Sequence, residues 1–97
     1  MAILAFHRTP TLTRERYEEV VRRLTHGKAP VDSLSDLPFD GLVFHAAGET
    51  EQGFCVMDVF ESDAAVQRFS AVVTPIAAEV GIEQPPEFFP AHTFVMG

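Results

Sequence analysis

The stretch that most limits what this chain can fold into runs from Gly41 to Glu61, GLVFHAAGETEQGFCVMDVFE. Two apolar runs, Leu42 to Ala47 and Phe54 to Phe60, flank a polar segment bracketed by Gly48 and Gly53. That pattern reads as a β-hairpin. With an even number of residues in the turn, Ala47 opposes Phe54, His45 opposes Val56 and Val43 opposes Asp58. One face then carries Val43, His45, Ala47, Phe54, Val56, Asp58 and Phe60. The other carries Leu42, Phe44, Ala46, Cys55, Met57 and Val59. An odd turn exchanges the partners, because side chains alternate with a period of two. In either register both faces are apolar, whereas a solvated face alternates with polar residues. Both faces of this hairpin therefore need a cover.

The rest of the chain supplies one cover. Ala2 to Arg8 reads as a first strand, with Ile3, Ala5 and His7 on one face, and Pro10 ends it. Thr11 or Thr13 caps a helix whose apolar stripe is Tyr17, Val20, Val21 and Leu24. Gly27 stops that helix, with Pro30 just beyond. Lys28 to Asp40 is a loop carrying Val31, Leu34, Leu37 and Phe39, so it is expected to lie against the domain, with a short helical turn near Ser33 to Leu37. Ser62 caps a second helix with Val66, Phe69, Val73, Ile76 and Val80 inward, and Gly81 ends it. Pro75 should kink or split that helix near Val72, since it has no amide to donate. The proline-rich EQPPEFFP, Glu83 to Pro90, is expected to be irregular. Ala91 to Met96 is expected to form the last strand.

The order strand, helix, strand, strand, helix, strand is the split βαβ, or ferredoxin-like, α+β arrangement. Right-handed crossovers place both helices on one face of a four-stranded antiparallel sheet. The helices cover only that face. The expected cover for the other is a second copy of the chain about a two-fold axis. The layout resembles the dimeric α+β barrel superfamily, in which two ferredoxin-like protomers pack sheet to sheet. Met57 to Gly81, MDVFESDAAVQRFSAVVTPIAAEVG, is similar to the strand, aromatic, Glu-Ser, helix segment of its antibiotic-biosynthesis-monooxygenase-like branch. Phe60 stands at the aromatic position and Glu61-Ser62 follow. Many members of that branch carry a His in the second helix; Ser62 to Val80 has none. The resemblance implies a homodimer and, in that branch, oxygenase chemistry without a cofactor.

Bulk properties narrow the function classes. A chain of 97 residues has room for one domain, 1–97. With 14 Asp and Glu against 7 Lys and Arg, it lacks the basic stripe that neutralises nucleic-acid phosphates or anionic membranes. Arg14, Arg16, Arg22 and Arg23 alternate with Glu15, Glu18 and Glu19, the pattern of a solvated helix face. Cys55 is the lone cysteine, so it forms neither an intrachain disulfide nor a CxxC motif. MAILAFHRTP has no basic leader, and no apolar run approaches the ~20 residues of a membrane span. A cytoplasmic protein with no nucleic-acid or membrane partner is the expectation.

Two residues interrupt the apolar runs of the hairpin. His45 lies between Phe44 and Ala46, and an imidazole there could be a general base, a ligand contact or a core histidine bonded to a carbonyl. Asp58 lies between Met57 and Val59, where a carboxylate must be paired or shift its titration. In the even register the two are diagonal neighbours. They are the candidate catalytic residues, His45 as base and Asp58 as its orienter, or else polar contacts at a dimer interface. Tyr17 could place its hydroxyl between helix and sheet. Phe6, Phe44, Met57 and Phe69, with the 83–90 loop, are the expected walls for an apolar or aromatic small molecule. His7 and His92 read as strand-end polar residues, and no His spacing suits a metal. Enzyme and binding protein both remain open. The alternative is a protein whose apolar second face serves only to dimerise, around a filled core.

Overall fold

Strand pairing builds the sheet outward from two central strands. β1 (Ile3–His7) and β3 (Gly53–Phe60) pair antiparallel at the centre, with β2 (Leu42–Thr50) outside β3 and β4 (Glu87–Pro90) outside β1. Two helices, α1 (Arg14–Leu24) and α2 (Asp63–Glu79), complete a βαββαβ order. This is an α+β fold with the ferredoxin-like strand order. The computed structural model describes residues 1–27 and 31–96; Pro30, expected just past the first helix, lies outside them.

Both helices begin and end where local chemistry dictates. The Thr13 hydroxyl accepts from the Arg16 amide at 3.2 Å, and the Ser62 hydroxyl accepts from the Ala65 amide at 3.2 Å. At the end of α2 the amide of Ile82 donates to the Ala77 carbonyl and that of Gly81 to the Ala78 carbonyl. With Gly81 at φ +94, this is a Schellman stop. At the end of α1 the same role falls on His26, at φ 57, ahead of the expected Gly27. Pro75 does not split α2, which runs unbroken past Val72. The carbonyl that the proline leaves without a helix donor belongs to Ala71, four residues back, and both residues are on the exposed side where water can serve it.

The helices pack on one sheet face. Leu12, Val20 and Leu24 meet Phe54, Val56 and Ile82, with Val73 and Ile76 of α2 against them. A second cluster joins Ile3, Ala5, Leu42, Phe60 and Ala65. Phe60 is fully buried, and its ring meets Phe69 at 4.9 Å, edge on. The Val31–Asp40 segment lies against this core through Leu37 and Phe39, and it makes one 3-10 turn at Leu34–Asp36, as its sequence suggested.

Three features of the sheet depart from expectation. First, β2 extends through Gly48 to Thr50, so the turn is only Glu51 and Gln52. The Thr50 hydroxyl holds it, accepting from the Gln52 amide and donating to the Gly53 carbonyl. Ala47 therefore faces Val56, not Phe54, and His45 faces Asp58, not Val56. The slip is two residues, so side-chain parity survives. Second, a bulge at Val43 breaks that parity: Phe44 pairs with Val59, but Leu42 pairs with Phe60. Leu42 is thereby turned to the helix side and buried. Third, the last strand is Glu87–Pro90, inside the segment expected to be irregular. It is an edge strand, where proline costs no ladder bond on its solvent side. Residues 91–96, including His92, follow it without regular structure.

The face away from the helices carries Leu4, Phe6, Phe44, Ala46, Met57, Val59 and Phe89. Phe44, Met57 and Phe89 are 37%, 47% and 43% exposed, an apolar surface on a single chain.

Candidate functional site

The helix-covered face is apolar except near its centre. There Asp58, on β3, has Ala5 of β1 on one side and His45 of β2 on the other. Its side chain is buried, and one oxygen, Oδ1, lies 2.6 Å from His45 Nδ1. A carboxylate only accepts, so Nδ1 carries the hydrogen and donates. That leaves a lone pair on Nε2. The Tyr17 hydroxyl, from the first turn and a half of α1, lies 2.6 Å from Nε2 and donates to it. Tyr17, His45 and Asp58 thus form one hydrogen-bonded chain from helix to sheet.

The surroundings fix the geometry of this chain. The Tyr17 ring lies nearly parallel to the His45 ring, at 12° with centroids 6.0 Å apart, and rests against Phe54 at 5.1 Å. Burial pushes the Tyr17 phenol up to about 12, and the negative charges of Asp58 and Glu18 add to the shift. The phenol therefore stays protonated and available as a donor at neutral pH.

His7 joins the same face from β1. Its Nε2 lies 2.8 Å from the Gln84 carbonyl oxygen. A carbonyl only accepts, so Nε2 carries the hydrogen. Burial holds this imidazole below its ordinary value of 6.5, opposed by the Gln84 bond and the Asp58 charge.

These groups border a cavity of about 80 Å³ between the sheet and the two helices. Its polar lining consists of His7, Tyr17, His45 and Asp58; the rest is aliphatic or aromatic, including Leu12, Phe39, Phe69 and Val73. On the far side of Tyr17 and His45 lies an open groove of about 280 Å³, bordered by Arg14, Ala47 and Phe54. Tyr17 and His45 therefore stand in the wall between the interior and the surface. Among the described residues no three His, Cys, Asp or Glu side chains gather closely enough to hold a metal ion.

The structure brings His45, Asp58, Tyr17 and Phe69 together and separates Phe6, Phe44 and Met57 from them. Phe6 and Met57 lie on the opposite sheet face, since they share parity with Leu4 and Val59 rather than with Ala5 and Asp58. Phe6 lies under the Arg8 guanidinium there. Phe44, also on that parity, borders a shallow groove at the β2 edge with Val43 and Leu34. His7, expected as a strand-end residue, instead lines the cavity. The signal was its shared parity with Ile3 and Ala5. From the 83–90 segment, expected as a wall, Pro86 lines the cavity, while the Gln84 carbonyl accepts from His7.

No protein-family model, no curated protein and no solved structure matches the chain.

Proposed function

We propose that this chain binds a small, largely apolar or aromatic molecule beside Tyr17 and exchanges a proton with it through Tyr17, His45 and Asp58. The observation that carries this reading is the two-bond chain, each bond 2.6 Å, at the wall of an otherwise apolar cavity. A phenol titrating near 12 is a weak acid, and its phenolate would be costly to form alone. The relay avoids that cost. As the Tyr17 oxygen takes a proton from the ligand, its own hydrogen passes to His45 Nε2. The positive charge then rests on an imidazolium bonded to the Asp58 carboxylate. Proton transfer of this kind contributes roughly 10²–10⁴-fold to a rate. For a cofactor-free oxidation, as in the monooxygenase-like branch that the chain resembles, the deprotonated substrate would react with dioxygen.

We place this activity in a homodimer in the cytoplasm. The exposed apolar face formed by Phe44, Met57 and Phe89 supports the dimer, and an unpaired Cys55 fits a reducing compartment. Light scattering after size exclusion checks the assembly; a monomer at micromolar concentration would remove it. For the chemistry, turnover of candidate phenols and enols by the native protein is compared with that of His45→Ala and Tyr17→Phe. Full activity in His45→Ala ends the proton-transfer role.

A second reading follows from the size of the cavity. About 80 Å³ is smaller than the ~150 Å³ engineered cavity that admits benzene. In that reading the core is a filled one, and Tyr17, His45 and Asp58 fix its packing in a non-catalytic dimer. Saturable shifts of the cavity methyl resonances on adding small ligands favour the first reading, and their absence favours the second.

A further inference from the structure

The hydrogen atoms around the cavity are all committed. The Tyr17 O–H points to His45, the His45 Nδ1–H to Asp58 and the His7 Nε2–H to the Gln84 carbonyl. What remains on these four side chains is lone pairs. Asp58 Oδ1 is taken, while Oδ2 has no protein partner; His7 keeps a bare Nδ1, and the Tyr17 oxygen keeps its own lone pairs. Among the described residues the only sealed side-chain oxygen or nitrogen without a partner is Thr9 Oγ1. Asp58 Oδ2 and His7 Nδ1 are therefore open to space rather than packed against carbon. They also belong together: Asp58 faces Ala5 across the β1–β3 ladder and His7 faces Val56, which makes Asp58 and His7 diagonal neighbours on one face.

We infer that the cavity selects a head group that donates hydrogen bonds, a hydroxyl or a protonated amine, and turns away groups that only accept, such as ketones and carboxylates. The inference rests on the reading of the cavity as a binding site and adds the polarity of what enters it. A donor placed here finds Asp58 Oδ2 and His7 Nδ1 waiting. A carbonyl finds no free hydrogen, and a carboxylate also meets the Asp58 charge. Leaving such buried groups unpaired is what discriminates strongly between analogues of equal size. At about 80 Å³ the cavity accommodates a head of roughly three or four heavy atoms, scaled from the ~150 Å³ cavity that holds benzene. Any larger body would extend into the groove beside Tyr17.

Four probes of four heavy atoms each test this: propan-2-ol, isopropylammonium, acetone and acetate. Each is titrated into the full chain while the ring resonances of His7, His45 and Tyr17 and the cavity methyls are followed. The expected result is that propan-2-ol or isopropylammonium shifts these signals at a Kd at least about tenfold below those of acetone and acetate, a ratio of the size one unpaired polar group gives. In Asp58→Asn, whose amide brings a donor, that ratio should fall toward one. Acetone or acetate binding as well as the donors, with the same resonances shifting, overturns the inference and leaves the site itself standing. No shift with any of the four removes both. The comparison on the native chain holds even if Asp58→Asn fails to fold.

Discussion

His45 and Asp58 face each other directly across the β2–β3 ladder, with the ring nitrogen 2.6 Å from the carboxylate oxygen. The pair is buried, so its two members are not equivalent under mutation. His45→Ala leaves a buried carboxylate without its donor and should cost about 3–5 kcal/mol, the range for stranding one member of a buried pair. His45→Ala combined with Asp58→Ala removes the stranded charge. The double variant should be more stable than the sum of the two singles by about 1–3 kcal/mol. Urea unfolding of the four proteins closes the cycle, and strict additivity would mean that the two side chains do not depend on each other.

Tyr17 can be watched alone, because the chain has one tyrosine and no tryptophan. Its phenol should ionise near 12 in the native protein and near 10 once unfolded in urea, read from ultraviolet absorbance. The folded state holds this proton more tightly. The stability that this supplies is complete below pH 10 and is lost as pH rises through the native value. Tyr17→Phe should flatten that alkaline loss. A native midpoint near 10 would show that the hydroxyl is solvated and not bonded to His45.

At acid pH the sensitive group is His7, whose value is lowered on folding from its ordinary 6.5. The unfolded chain binds the proton first. Stability is therefore unaffected by this group above about 6.5 and falls as the pH drops below it. His7→Gln keeps a donor for the Gln84 carbonyl but cannot titrate in this range. Denaturation midpoints measured at pH 7.5 and pH 5 should differ less in that variant than in the native chain. An equal difference in both assigns the acid sensitivity elsewhere.

The end of α1 offers a stabilising change. His26 is exposed and sits at φ 57, in the left-handed region, where a side chain costs roughly 1–2 kcal/mol. Its amino-acid type is not needed for the bond that closes the helix, the Gly27 amide to the Arg22 carbonyl at 2.8 Å. His26→Gly should raise stability by about 0.5–1 kcal/mol after the entropy of glycine is counted. Thermal unfolding measures it directly; a loss of stability would show a role for the imidazole that its exposure conceals.

The layout was legible because it follows from periodicity. The helical stripe Tyr17, Val20, Val21 and Leu24, the caps Thr13 and Ser62 and the stop at Gly81 all sit where their spacing put them. Register was not legible in the same way. Gly48 looked like the start of a turn, yet it lies in the ladder opposite Cys55, since glycine tolerates both settings. The two-residue slip that follows turns His45 and Asp58 from diagonal neighbours into a direct pair. The fourth strand was hidden by Pro85 and Pro86 just before it and by Pro90 at its end, a position an edge strand tolerates. The site was half legible: the isolated polar residues of the hairpin marked it, but the Tyr17 bond and the part played by His7 depend on how α1 and the 82–86 segment come down on the sheet.

The bulge at Val43 works as a phase joint in β2. Upstream of it Leu42 belongs to the core beneath the helices, and downstream Phe44 belongs to the opposite face while His45 regains the interior. Facing is thus set independently on the two sides of a single residue. A regular strand running through all three residues would put Leu42 and Phe44 on one face. Either the hydrophobic anchor at Leu42 or the alignment of His45 with Asp58 would have to give way. One residue with an unremarkable side chain therefore keeps the packing of the domain and the alignment of its polar chain compatible within one strand.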